Sequence, residues 1–456
     1  MINIKTDSKK VVPGDTFVAL KGTIVDGHKY VEEAIKNGAT KVIVSNNKKY
    51  SVETINVENT TKYLNEYLVN KYSKEFKNIK FIGITGTNGK TTTGFMTYQL
   101  LRKVKIKVAY IGTIGFFCND NFEKTLNTTP DILATYNFIL KAKDAGCKIV
   151  IFEASSIGLV EGRLNGIKFD ATVFTNLTHD HLDYHKNMKD YLQAKLILFN
   201  NLKADGIAIT NIDDKYGHFF TGPTTLTYGF GNADIKCIKH DEVFSNFVIK
   251  YDNEEYNISS PLFGKYNVSN VLASIGILIK LGVDLKTICK YYPSLSIPTG
   301  RINTINYKTN KIIIDYAHTP DGVKQVLSAA IHLSQGKTYV VFGCPGNRDR
   351  AKRPMMGKIV NKYADYFIIT DDDPHYEDEQ RIVDDITKNL VSDKYEVIID
   401  RKKAISKAFS LLKENDILLI LGKGHEDAII VKDQRIPHND LEYVSELIEK
   451  EKISIK

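Results

Sequence analysis

The stretch GITGTNGKTTT, residues 83–93, constrains this chain more than any other. It follows the apolar run KFIGI and precedes GFMTYQLLRK, which reads as a strand, a glycine turn and the start of a helix. Such a turn aims backbone N–H groups and the positive end of the helix dipole at a phosphate. Lys90 adds an ammonium, and Thr91 adds a hydroxyl suited to Mg²⁺. Gly86, Thr87, Asn88, Gly89, Lys90, Thr91 and Thr92 are therefore expected to form a triphosphate cradle. The run departs from the GxxxxGK(S/T) pattern at one place, since Ile84 stands at the first glycine position and Gly83 comes one residue early. An ordinary glycine turn is the alternative, and the flanking strand and helix count against it.

A nucleotide loop alone does not name a reaction, so the groups that would complete a metal site matter. Glu153 closes the run KIVIFE, and the next run, ATVFTN, leads into LTHDHLDYH with His179, Asp180, His181, Asp183 and His185. Both fall at the carboxyl ends of expected parallel strands, where open α/β sheets bind ligands. Magnesium prefers oxygen donors, which makes Glu153 and Thr91 natural ligands with one neutral imidazole as an addition. The histidines also invite zinc, although zinc usually recruits a tighter His or Cys set. A role for Glu153 as a mere strand-end cap or ion-pair partner is a further alternative. In YLQAKLILF, Lys195 shares a helix face with Leu192 and Phe199, and that face is the buried one. Most such lysines snorkel to water. Near a metal, a lysine with a depressed pKa can instead react with CO₂ as the neutral amine, giving an anionic carbamate able to bind Mg²⁺.

A chain of 456 residues has room for two to four domains at roughly 100–200 residues each. Residues 1–78 alternate short apolar runs with turns around a helix-like stretch at 30–37, which reads as a small α/β domain, and 71–78 reads as a linker. Residues 79–298 carry KFIGI, KVAYIG, KIVIFE, ATVFTN and GIAIT, near-continuous apolar runs typical of buried parallel strands and of a P-loop ATPase-like sheet. The polar alternation over 224–258 suggests antiparallel hairpins, and 268–281 an amphipathic helix. Residues 299–456, with KIIID, TYVVFG, YFIIT, EVIID and ILLILG, read as a Rossmann-like, doubly wound domain. The expected class is therefore α/β with three domains.

Composition excludes other classes. With 43% apolar and 25% charged residues, neither disorder nor a coiled coil fits. No apolar run approaches the roughly 18–20 residues of a membrane span, and MINIKTDSKK lacks a signal-peptide core, so a cytoplasmic protein is expected. The net charge of +8 raises nucleic-acid binding, but the lysines are dispersed as surface pairs and no RNP-like aromatic strip accompanies them. The five cysteines form no CxxC pair, which fits reduced thiols rather than a disulfide framework.

Together these motifs resemble the Mur ligase family, the ATP-dependent enzymes that build the peptide of bacterial cell-wall precursors. The resemblance spans the chain. It runs through Asp7-Ser8-Lys9, GTNGKTT, FTNLTHDHLDYH, YLQAKL, Thr299-Gly300-Arg301, DYAHTPDG, FGCPGNRDRAKRP and GKGHED in the family's order. NTTPD, EASS, GNRDRAKRPMMG and GKGHE look most like members that add the third residue to UDP-MurNAc-L-Ala-D-Glu in peptidoglycan precursor synthesis. The resemblance implies ATP, two Mg²⁺ and a CO₂-derived carbamate on Lys195, with Thr91, Glu153, His181 and Lys195 around the metal and Lys90, Lys195, His181 and Glu153 catalytic. It assigns Arg301 and Asp315 to the nucleotide, and Ser8, Thr128, Thr129, Ser155 and Arg163 to the UDP-MurNAc-dipeptide. Arg348, Asp372, Asp373, Pro374, His375, Gly422 and Glu426 fall to the incoming free amino acid. A monomer, without a nucleic-acid partner or a membrane span, completes the expectation.

One departure bears on the substrate. Members that use meso-diaminopimelate typically carry Asp-Asn-Pro-Arg where this chain has Asp372-Asp373-Pro374-His375. Loss of the arginine fork removes a charge-assisted bond of about 1.5–3 kcal/mol, and Asp373 adds negative charge, which leans toward L-lysine or another diamino acid lacking the second carboxylate. Glu426 in GKGHE points the other way. A sibling ligase, either the D-Ala-D-Ala-adding or the folylpolyglutamate type, and a nucleotide-switched binding protein are the alternative readings. GNRDRAKRP and NTTPD tell against the first, and the joint presence of Glu153, His181 and Lys195 against the second.

Overall fold

The computed structural model describes residues 2–21, 25–333, 335–388 and 390–454. Three sheets follow one another along the chain. The first has four parallel strands in the order β1 (Ile4–Lys5), β2 (Thr16–Val18), β3 (Lys41–Val44) and β4 (Glu53–Asn56). Of the residues 71–78, expected to be a linker, 71–76 are instead helical: the helix Thr60–Tyr72 passes into a 3₁₀ turn, Ser73–Phe76. Tyr72 and Phe76 supply the reason, because both are buried and both pack on the Tyr136 ring of the helix Ile132–Asp144.

The central sheet contains β5 (Lys80–Thr85), β6 (Val108–Gly112), β7 (Gly115–Cys118), β8 (Asn121–Glu123), β9 (Ile149–Glu153), β10 (Phe169–Phe174), β11 (Leu202–Asn211), β12 (Thr224–Gly229), β13 (Ile235–His240), β14 (Asn246–Tyr251) and β15 (Glu254–Ser259). Its order is β15-β14-β13-β12-β11-β10-β5-β9-β6-β7-β8. The runs β5, β6, β9 and β10 are parallel and almost wholly buried, because helices cover both faces and leave no water-facing side for a polar alternation. Each Ile or Val fully removed from water there contributes roughly 1.5–3 kcal/mol. The segment 224–258 is only partly the expected set of hairpins: β12 and β13 join in parallel, and antiparallel pairing begins at β13–β14.

The third sheet runs β16 (Asn303–Tyr307), β17 (Asn310–Asp315), β21 (Ile417–Leu421), β18 (Thr338–Phe342), β19 (Tyr366–Ile369), β20 (Tyr395–Val397). All its pairings are parallel except β16–β17. A two-stranded ribbon, β22 (Ala428–Val431) with β23 (Gln434–Pro437), follows β21. The EVIID run contributes only its first part to β20, which lies at the sheet edge and is not buried.

Helix starts are written in the motifs themselves. Asp131 of NTTPD caps the helix Ile132–Asp144 by accepting from the Ala134 N–H, and Asn187 caps Met188–Phe199, the helix that carries Lys195. In DYAHTPDG, Thr319 caps Pro320–Ala330 with Pro320 in the first turn, where its missing N–H costs nothing. The packing is α/β throughout, in three domains. No helix among the described residues is long and apolar enough to cross a membrane.

Candidate active site

The phosphate loop lies where β5, β9 and β10 end together, on the central strand of the sheet, with β9 on one side and β10 on the other. Gly89 caps the helix Lys90–Lys103 in the left-handed region at φ 88°, and a Cβ there would come within 2.2 Å of the Asn270 side-chain oxygen. Lys90 folds back on its own loop and donates to the Gly86 and Thr87 carbonyls, both at 2.8 Å. Burial lowers its pKa, opposed by the charge of Glu153 and reinforced by Arg301.

Glu153 is fully buried and more than a strand-end cap. Its carboxylate accepts from the Thr91 hydroxyl at 2.9 Å, the Thr113 N–H at 2.9 Å, the Thr113 hydroxyl at 3.1 Å and the Tyr110 hydroxyl. Arg301 reaches the same hydroxyl of Thr91 from the C-terminal domain, with Nη2 at 3.3 Å from Oγ1, and stacks 4.7 Å above the Tyr316 ring. Asp315 accepts from the Ile302 and Ala317 N–H groups and lines the same ≈ 620 Å³ cavity as Lys90, Thr91, Glu153, His181 and Arg301.

His181 sits in the left-handed region at φ 53°, its Nε2 3.3 Å from the Asp180 carboxylate, and burial lowers its pKa toward the neutral imidazole. Burial would raise Asp180, but the charges of His181 and Lys352 outweigh it and hold that carboxyl well below the usual range. The other members of the histidine-rich run do different work. His179 pairs with Asp349 at 2.7 Å, His185 bonds Ser156 at 2.8 Å, and Asp183 lies in the first turn of the short helix Leu182–His185. His181 and His185 flank the same Tyr191 ring, but the histidines bond different partners and form no converging ligand set among the described residues of the kind zinc needs.

Lys195 does not snorkel. It is 1% exposed, its Nζ lies 4.4 Å over the Tyr191 ring, and it forms no ion pair among the described residues. Burial and the charge of Lys90 push it well below the ordinary amine range, with only Asp180 pulling back. The shared buried face with Leu192 and Phe199 is as expected. The donor set fits Mg²⁺: a hydroxyl and a carboxylate already within 2.9 Å of each other, a neutral imidazole nearby, and a buried amine whose neutral form is favoured.

Thr128, Thr129, Ser155 and Arg163 gather beside Glu153. Thr129 donates to the Glu153 carbonyl at 2.7 Å and accepts from the Ser155 N–H at 2.9 Å, Arg163 donates to the Thr129 carbonyl at 2.7 Å, and the Thr128 and Thr113 hydroxyls are 3.0 Å apart. Ser8 is not brought to this group. Its hydroxyl donates to Glu33 at 2.6 Å within the N-terminal domain.

Asp372, Asp373 and Glu426 bring carboxylate oxygens within 4.8 Å of one another at the ends of β19 and β21. Gly422 has to be a glycine: φ is 110°, and a Cβ would meet an Asp372 oxygen at 2.6 Å. Pro374 is buried, His375 pairs through its backbone with Ile430 and Lys432 of the ribbon, and Arg348 is exposed. Burial lowers His375, Asp373 resists and Arg348 adds to the lowering. Asp373 is not a free charge: its Oδ1 accepts from Lys423 Nζ at 2.7 Å and from the Ile430 N–H at 2.8 Å, although Lys423 is shared with Asp372 and Glu426.

Sequence reasoning passed over several groups here. Asn267 and Asn270 line the cavity and bond each other at 2.9 Å; two buried amides one turn apart on the otherwise apolar helix Lys265–Lys280 were the available signal. Lys423, in the quoted GKGHE, is fully buried among acids. Cys118 and Cys147, far apart in the chain, place their sulfurs 3.5 Å apart, and all five cysteines are free thiols.

Three family profiles match in succession: "Mur ligase family, catalytic domain" over residues 2–76, "Mur ligase middle domain" over 84–278 and "Mur ligase, glutamate ligase domain" over 300–424. A UDP-N-acetylmuramoyl-L-alanyl-D-glutamate--2,6-diaminopimelate ligase of Clostridium botulinum is 38% identical over 467 residues, covering 98% of this chain and 94% of its own. The enzyme of the same name from Aquifex aeolicus is 38% identical over 452 residues, covering 98% and 93%. A solved structure with that name superposes with a TM-score of 0.66 at 30% identity over 98% of this chain and 94% of that one. A MurF ligase from Thermotoga maritima in complex with ADP gives 0.72 at 21% identity over 100% and 99%, a likeness of fold.

Proposed function

The chain belongs to the Mur ligase family, and on that premise we propose how its residues divide the work of adding a diamino acid to UDP-MurNAc-L-Ala-D-Glu. It is an ATP-dependent ligase, in the manner of a UDP-N-acetylmuramoyl-tripeptide synthetase. One observation carries the division of roles: Lys90, Thr91 and Glu153 from the central domain and Arg301 and Asp315 from the C-terminal domain face a single cavity.

The reaction must bring several anionic oxygens together. A D-Glu carboxylate oxygen attacks the γ-phosphorus of ATP, ADP leaves, and the amine then attacks the acyl phosphate carbon and expels phosphate. Lys90, the amides of the phosphate loop and Arg301 lower the repulsion among those oxygens, the largest catalytic term in phosphoryl transfer. Thr91, Glu153, His181 and Lys195, the last as its carbamate, would hold Mg²⁺, which when bound supplies further charge neutralisation at the phosphoryl oxygens. Formation of that carbamate joins the neutral Lys195 amine to CO₂ with loss of one proton, and it would turn a buried amine with no ion-pair partner among the described residues into an anion. Thr128, Thr129, Ser155 and Arg163 hold the dipeptide beside Glu153, while Ser8 serves the nucleotide-sugar end in the N-terminal domain. Arg348, Asp372, Asp373, Pro374, His375, Gly422 and Glu426 receive the amino acid.

All these groups come from one chain, which supports action as a monomer, and a substrate set of ATP and a nucleotide-linked sugar supports a cytoplasmic reaction. His375 in place of arginine favours a diamino acid without a second carboxylate, whereas the names of the relatives favour diaminopimelate, for which Arg348 beside His375 offers a cation. Phosphate release, followed with ATP, UDP-MurNAc-L-Ala-D-Glu and in turn L-lysine, L-ornithine and meso-diaminopimelate, tests the reading. Release with at least one diamino acid is expected; none with any of them rejects it.

A further inference from the structure

Carboxylates that share a small volume repel, and three of them converge here, Asp372 buried and Asp373 and Glu426 partly exposed. Asp372, Asp373 and Glu426 come from two separate segments, and the cation among them is the ammonium of Lys423, itself fully buried. Nζ lies 2.5 Å from a Glu426 oxygen, 2.7 Å from Asp373 and 3.7 Å from Asp372. Being 0% exposed, Lys423 touches no solvent from which an amino acid could enter and has to act through its neighbours. The scaffold beneath is equally charged and equally specific. Arg401, buried with Asp440, donates to the carbonyls of Asp371 at 3.1 Å and Leu421 at 3.0 Å, the residues just before Asp372 and Gly422. That guanidinium ties the two motif-bearing strand ends to each other, so the carboxylates are held from the backbone side as well.

We propose that Lys423 is a positioning residue for the incoming amino acid: its ammonium fixes Asp373 and Glu426 and offsets their repulsion with Asp372, so that the acidic site is set before the amino acid arrives. This rests on the reading that those residues hold the amino acid. Counting Asp372, Asp373 and Glu426 against Lys423, the site keeps an excess of negative charge, which suits the ammonium groups of a diamino acid. Burial raises Glu426 while Lys423 holds it down; Asp372, Asp373, Arg401 and the Tyr316 hydroxyl, 3.4 Å away, are the other groups that face it. Without Lys423, Glu426 would lose its charge at a higher pH.

Steady-state kinetics on the full chain separate this role from plain packing. Lys423→Met should raise KM for the amino acid at least tenfold and leave KM for ATP and for UDP-MurNAc-L-Ala-D-Glu within about threefold. The acid-side rise in amino-acid KM should move to higher pH. Removing one of the repelling charges should compensate, so K423M should cost several-fold less in an Asp373→Asn background than in the native chain. Equal cost in both backgrounds, or a parallel rise in all three KM values, overturns the proposal. If K423M does not fold alone, the D373N background supplies the decisive comparison: a folded K423M/D373N supports charge compensation, and failure of that chain to fold where D373N folds overturns it. The native chain is the control, since absence of ligation there would reject the proposed function rather than the role of Lys423.

Discussion

Burying an amine without an anion in contact is costly, and Lys195 is such an amine. Helical spacing was enough to place it on the apolar face with Leu192 and Phe199, but spacing could not say whether the side chain escapes to water; only its 1% exposure does. The nearby charge of Lys90 makes the protonated state still less favourable, which is the physical case for reaction with CO₂. Lys195→Ala is expected to lower kcat by about 100-fold or more, on the scale of losing one preorganised electrostatic group. Excess bicarbonate with a short carboxylic acid should restore part of the activity. Full activity in the variant, measured by phosphate release, would remove the carbamate from the mechanism. At the same scale, His375 and Asp373 read from sequence as a pair that changes local charge; the structure separates them, because Lys423 and the Ile430 N–H engage Asp373. A lysine fifty positions away carries no local signature of that pairing.

Among elements, the parallel strands were the most legible, since a strand buried on both faces shows as an unbroken apolar run and β5, β9, β10, β17, β18 and β21 all do. The helix caps went unread, although Asp131, Asn187 and Thr319 are residue types that favour that position and each bonds the first turn that follows. Pairing partners were not legible, because whether β12 meets β11 in parallel depends on what the rest of the sheet leaves uncovered. The 71–78 segment looked like a linker by its lysines and asparagine, yet two aromatic anchors, Tyr72 and Phe76, fold it onto the central domain. The phosphate loop offers the cleanest test of an element. Gly89→Ala places a Cβ residue in the left-handed region, a cost of about 1–2 kcal/mol, and drives it against Asn270. A lower melting temperature together with weaker ATP binding is expected; unchanged ATP binding would mean that the loop's shape does not serve the phosphates.

For the whole molecule, the central and C-terminal domains share apolar packing and also meet through polar and charged pairs, most of them from the functional motifs. His179 contacts Asp349, Asp180 faces Lys352 at 3.7 Å, Asn88 bonds Asp321 at 3.2 Å, Arg301 reaches Thr91, and Lys124 pairs with Asp427 at 2.6 Å. Motif order along the chain indicated which residues belong to the site. It gave no access to this lattice of contacts between domains, which depends on how the rigid bodies close. Such closure keeps water from an acyl phosphate, and the cavity formed between the domains is where that intermediate would lie. Transfer of a carboxylate oxygen to phosphate is the most direct consequence of this chemistry. With UDP-MurNAc-L-Ala-D-Glu carrying ¹⁸O in its D-Glu carboxylates, ATP and an accepted diamino acid, mass spectrometry of the released phosphate should find one ¹⁸O per phosphate. Unlabelled phosphate accompanying ligated product would contradict the acyl-phosphate route.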